Sequence, residues 1–251
     1  AVSCTIKLDT EGQAPTIVLY KNDESAVLGN YTNVVDFKAH LGVVEATDLD
    51  DIAQYKVWGS ITEAATEGEA TWRTFSPASG QTYMSVSLAL TTGDGLKTIY
   101  VKLKDEAGNE GSSASATVTL DTVAPIIDVN SVDYNVISNV HSQRLTSSGV
   151  EITGTFSDKM TFKFSSDSKL KQYKVCVNAT GQQAATATAI PNAGGSINMT
   201  GTNLEANTEV TCTIMCADFG NTNEVNNVDG TYTVIVYGQD EADNWSAILT
   251  I

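Results

Sequence analysis

Residues 94–109 read DGLKTIYVKLKDEAGN, and residues 229–244 read DGTYTVIVYGQDEADN. The two stretches align without a gap, 135 residues apart. In the first, Ile99, Val101 and Leu103 alternate with Lys102 and Lys104. In the second, Val234 and Val236 hold the corresponding inward positions. Strict alternation is the period of a half-buried strand. The Asp-x-Ala-x-Asn phrase at the end of each stretch reads as a turn, with Gly108 or Asp243 where unusual backbone angles are tolerated. A last strand follows, Ala116 to Leu120 or Ala247 to Ile251.

Working outward, Gln54-Tyr55-Lys56-Val57 matches Gln172-Tyr173-Lys174-Val175, and Phe37 matches Phe162 in alternating runs. Cys176 thereby aligns with Trp58. Pro15 and Pro125 precede the apolar runs TIVLY and IIDVN. The phrase CTIKLDT at 4–10 returns as ATVTLDT at 116–122, and the chain ends on AILTI, where a third copy would begin. A period of this length sets the unit of the fold. Each unit holds about seven short strands separated by turn signals, the pattern of an immunoglobulin-like sandwich. The expected class is therefore all-β: tandem immunoglobulin-like β-sandwiches, at 11–122 and 123–251. Residues 1–10 are expected to be the last strand of a preceding repeat or an extra strand of the first domain, paired within the chain or with a neighbour. The Ala-rich patches at 61–70 and 181–189 are expected to be loops or single helical turns.

The resemblance rests on QYKVWGSITEAATEGEATW, DGLKTIYVKLKDEAGNE and TVTLDTVAP. These phrases resemble bacterial Ig-like repeat domains, found in tailed-phage virion proteins and bacterial surface adhesins; the wording YKVWG and DGLKTIYVK is most similar to the phage versions. The second unit departs from the pattern at Cys176 and Asp243. The resemblance implies a structural or display protein of a virion, decorating a capsid, tail or fibre, with other virion or surface proteins as partners through neighbouring domains. Its alternative is the stalk or binding region of a bacterial cell-surface adhesin.

Composition narrows the function. The net charge is −16, from 14 basic and 30 acidic residues. Such a chain repels nucleic acid and anionic membrane surfaces, and no apolar run is long enough to span a bilayer. The chain starts at Ala1 without an initiator Met, so processing or further sequence upstream is expected. Cys212 and Cys216, four apart on one strand, would sit roughly 13 Å apart, too far for a disulfide. Cys4, Cys176, Cys212 and Cys216 are expected to be reduced thiols.

Catalytic chemistry finds few footholds. His40 and His141 fall in different units, and His40, alternating outward with Asp36 and Lys38, is expected to be solvated. No Cys-His ligand spacing, phosphate loop or serine elbow is present, so no enzyme and no required cofactor are expected. Calcium is the one candidate ion, because it takes six to eight oxygen ligands. In a sandwich of this kind the entering linker, the second loop and the last turn meet at one end. They carry Asp9, then Asp48, Asp50 and Asp51, then Asp105 in the first unit; Asp121, Asp167 and Asp240 are the set for the second. The competing expectation is that these aspartates cap their own turns. Trp72, Tyr83 and Trp245 are candidate host-glycan contacts, since aromatic rings on loops can stack on sugars; more often such rings finish a small core.

Overall fold

The computed structural model describes residues 8–44, 46–133, 159–177, 183–190, 199–215, 234–247 and 249–250. The chain divides into two units, Ala1–Thr122 and Val123–Ile251. The two readings for residues 1–10 fall largely outside the described residues, as do Cys4, His141 and Cys216.

The first unit is a sandwich of two sheets. One holds β1 (Pro15–Lys21), β3 (Asp36–Val43) and β6 (Tyr83–Ala89) in the order β1-β3-β6. The other holds β2 (Tyr31–Thr32), β4 (Ile52–Gly59), β5 (Arg73–Thr74), β7 (Gly95–Asp105) and β8 (Ala114–Leu120) in the order β2-β8-β7-β4-β5. All these pairings are antiparallel except that of β2 with β8. Alternation explains the packing. Phe37, Ala39 and Leu41 from one sheet meet Val57, Ile99, Val101 and Leu103 from the other in a single core. Burying each of the larger of these side chains stabilises by about 1.5–3 kcal/mol.

The second unit repeats the plan. β9 (Ile127–Asp133), β10 (Lys159–Ser166) and β13 (Val210–Met215) pair in the order β13-β10-β9. β11 (Leu170–Val177), β12 (Thr200–Leu204), β14 (Val234–Asp240) and β15 (Leu249–Thr250) pair in the order β12-β11-β14-β15. Its core joins Phe162, Phe164 and Cys212 to Tyr173, Val175, Val234 and Val236. The fold is thus all-β, two immunoglobulin-like sandwiches in tandem.

The structure adds one short element to the second loop and departs from expectation in two places. A 3-10 turn, Ala46–Asp51, links β3 to β4 and sends Leu49 against the core. His40 is not solvated: it is 8% exposed, covered by flanking aromatic rings. Finally, β14 is buried along its whole length, so it is not the half-buried strand that its alternation with β7 suggested.

Candidate functional site

Each unit carries the same turn, built from the Asp-x-Ala-x-Asn phrase. In the first, Asp105 ends β7 and its Oδ1 accepts a hydrogen bond from the Asn109 amide at 2.7 Å. Asn109 Nδ2 donates to Asp105 Oδ2 at 2.9 Å and to the Asp9 carbonyl at 3.1 Å. In the second, Asp240 Oδ1 accepts from the Ala242 and Asn244 amides at 2.9 and 2.8 Å. Asn244 Nδ2 donates to Asp240 Oδ2 at 3.0 Å and to the Val123 carbonyl at 3.4 Å. The turns need a left-handed residue at the same place, and have Gly108 at φ 93° and Asp243 at φ 77°. The aspartate orders the turn, and the asparagine ties the turn to the segment that enters the unit.

In the first unit this turn gathers acids. Asp9, Asp51 and Asp105 each place a carboxylate oxygen within 4.8 Å of the others. The entering segment brings Asp9, the 3-10 turn brings Asp51, and the end of β7 brings Asp105. The Glu106 amide donates to the Asp51 carbonyl at 3.0 Å, which locks the 3-10 turn to the last turn. Asp105 is 2% exposed. Burial pushes its carboxyl up, but hydrogen bonds from the Asn109 side chain and from the backbone of Asn109, Gly108 and Ala107 outweigh it and hold the group below its ordinary range. The carboxylate stays ionised, so the trio offers oxygen ligands of the kind calcium takes. Asp50 is exposed and outside the trio, and the Asp48 side chain lies outside the described residues. Among the described residues no second trio forms around Asp167 or Asp240. Asp167 instead accepts the Ile126 amide at 2.8 Å, and Asp240 is engaged by its own turn. Asp121 is half-buried beyond β8.

The three candidate glycan aromatics are not gathered on one surface of the first unit. Trp72 lies on the outer face of the β4–β7 sheet, where Lys56 Nζ and Lys104 Nζ sit 4.6 and 4.1 Å from its ring. Tyr83 lies on the outer face of the opposite sheet, stacked on His40. Trp245, in the second unit, covers Lys174 Nζ at 4.9 Å. All three rings are half-buried.

Two constellations carry no obvious motif. Lys56 and Lys102 are direct cross-strand partners on β4 and β7. Like charges placed so repel, and Glu67 Oε1 bridges them at 2.9 and 2.6 Å. On the other sheet Tyr20, His40 and Tyr83 stack in a row with Glu24 beside them. The only legible signal was alternation, which places Lys56, Lys102 and His40 outward and says nothing of what covers them.

Comparison with family models and with curated proteins returns no match. Among solved structures, the chain is similar to fibronectin(III)-like modules of Clostridium thermocellum CbhA, at 11% identity and TM-score 0.40, over 98% of this chain and 90% of that one.

Proposed function

We propose that the chain is a non-enzymatic structural or display segment, two Ig-like sandwiches from a row of domains on a tailed-phage virion. One observation carries this reading: both units tie the same last turn to the entering segment, through Asn109 to the Asp9 carbonyl and Asn244 to the Val123 carbonyl. Tying the entering backbone to each unit suits a protein that spaces or presents its neighbours. The alternative is the stalk of a bacterial surface adhesin, which uses the same domains for the same mechanical end. Antibodies against the chain separate the two in whole lysates and cultures. Label on phage particles is the expected result, label on intact bacterial walls favours the stalk, and label only on free soluble protein overturns both.

The Asp9, Asp51 and Asp105 trio favours a second element: calcium stiffening the entry of the first unit. Ligand binding to the folded state alone raises the melting temperature with ligand concentration. Calcium is expected to raise the melting temperature of the full chain and chelator to lower it, with Asp51→Asn removing the response. A melting temperature indifferent to both removes calcium from the reading and leaves the spacer role standing.

A further inference from the structure

We propose that proton uptake by His40 tightens a latch holding the β1–β2 loop against the β1-β3-β6 sheet. His40 sits on the central strand of that sheet, between the rings of Tyr20 from β1 and Tyr83 from β6. The ring centroids lie 3.9 and 4.0 Å away, at interplanar angles of 23° and 11°. The imidazole is therefore fixed in orientation, and its Nε2 is buried without a hydrogen-bond partner. Yet Glu24 Oε2 stands 3.4 Å from that nitrogen, close but without hydrogen-bond geometry.

Glu24 is the hub of the loop. Its backbone is left-handed, at φ 58°, an uncommon conformation for a residue with a side chain. Its Oε1 accepts the Ser85 hydroxyl of β6 at 2.6 Å and lies 3.8 Å from Lys38 Nζ of β3. The loop closes on itself through the Lys21 amide to the Ala26 carbonyl at 2.9 Å and the Leu28 amide to the Leu19 carbonyl at 2.8 Å. The Ser85 hydrogen bond above all, with Lys38 adding to it against the effect of burial, holds the Glu24 carboxyl below its ordinary range, so the hub is anionic.

The groups facing His40 are thus Glu24 from the loop, Tyr20 from β1 and Tyr83 from β6, with Lys38 beside it on its own strand. An imidazolium there gains a carboxylate and the faces of two aromatic rings, which attract cations. Against it stand burial and the competing charge of Lys38. A neutral imidazole can offer Glu24 at most an uncharged Nε2–H and loses the charge–charge attraction. The balance links the proton to the loop: acid closes the latch, and alkali leaves Glu24 to Ser85 and Lys38 alone.

The test uses the full chain carrying His141→Gln, so that a single imidazole is observed by NMR. Glu24→Gln keeps the side-chain size and an acceptor for Ser85 while removing the charge. If the carboxylate holds the proton on His40, Glu24→Gln weakens proton binding there, read from the pH course of the ring resonances. Amide exchange at Lys21 and Leu28, corrected for intrinsic rates, is expected to be slower at about pH 5.5 than at about pH 8, the span over which imidazoles titrate. The difference should vanish in Glu24→Gln. Equal proton affinity with and without the Glu24 charge overturns the latch, and so does loop protection that ignores pH in the unsubstituted chain.

Discussion

β7 and β14 occupy the same place in their units, yet they are covered in different ways. Outward from β7 point Tyr100, Lys102 and Lys104; the aligned residues of β14 are Ile235, Tyr237 and Gln239. On β7 the cover is ionic, with Glu67 and Glu110 reaching the lysines and Trp72 lying over Lys56 and Lys104. On β14 the cover is apolar: Cys176, Ala187, Ile235 and Tyr237 make a second small core on the outer face, with Ala184 and Trp245 against it. Trp245 stands where the first unit has Glu110, bridged to Gln239 as Glu110 is bridged to Lys104. Among the described residues Lys174, the counterpart of Lys56, meets no carboxylate and donates to the Ala187 carbonyl at 2.7 Å. One topology therefore shields the same strand with salt bridges in one unit and with hydrophobic burial in the other.

The sharpest way to break this comparison is to truncate both strands at one aligned position. Tyr237 is fully buried, and Tyr237→Ala is expected to destabilise the second unit by about 3–5 kcal/mol. Lys102 is held mainly by partly exposed ion pairs, and Lys102→Ala is expected to cost the first unit about 1 kcal/mol or less. Calorimetry of the full chain should show the transition of the second unit falling much further. Equal losses would mean that the ionic cover contributes as much as the apolar one.

The turns give the next largest effect. Asp105→Ala and Asp240→Ala each strand the amides and the asparagine that the carboxylate holds, at about 1–3 kcal/mol. The bonds are matched, so the difference lies in the neighbourhood: Asp105 has Asp9 and Asp51 beside it. Removing Asp105 relieves that repulsion, so without divalent ions Asp105→Ala is expected to cost less than Asp240→Ala. Added calcium should reverse the order if the trio binds it. The pH dependence has a definite sign. The Asp105 carboxyl lies below its ordinary range in the folded state, so its contribution is complete above the unfolded value of about 3.9. That contribution is lost as pH falls through the lower folded value. Acid unfolding of the first unit should be less steep in Asp105→Ala than in the unsubstituted chain.

The strands, the two-unit plan and the turn were legible because they repeat and alternate. The apolar run Val234-Ile235-Val236-Tyr237 also carried its own warning, since a strand without polar outward residues is covered on both faces. Alignment with Ile99 to Lys102 hides that warning, because Lys102 stands where Tyr237 does and implies a solvated outer face for both copies. The acidic end was half legible. Sandwich topology brings the entering segment, the second loop and the last turn together, which gathers Asp9 and Asp105. Which of Asp48, Asp50 and Asp51 joins them depends on the 3-10 turn that Leu49 anchors, and alternation has no term for it. The burial of His40 escapes the sequence for a related reason. Its outward direction follows from the strand period, but its burial comes from diagonal neighbours on β1 and β6 and from a loop folded back over the sheet. None of these is local in sequence.

The smallest expected effect is also the one that tests the ionic cover by itself. Glu67 is the shared partner of Lys56 and Lys102, and its carboxyl is held below its ordinary range chiefly by Lys102, then by Lys56. Lys102 is held correspondingly above its ordinary range by Glu67. Glu67→Gln preserves the side-chain shape and leaves two lysines facing each other across β4 and β7 with less to neutralise them. A small fall in the melting temperature of the first unit is expected, somewhat larger at low salt because partly exposed charges are screened in part as salt rises. Lys102→Gln in the same chain removes the repulsion and should restore most of the loss, since partners in contact couple non-additively. If the double substitution melts below both single ones, the outer face of β7 depends on Glu67 through packing of the 61–70 loop, and the contrast with β14 is one of shape more than of charge.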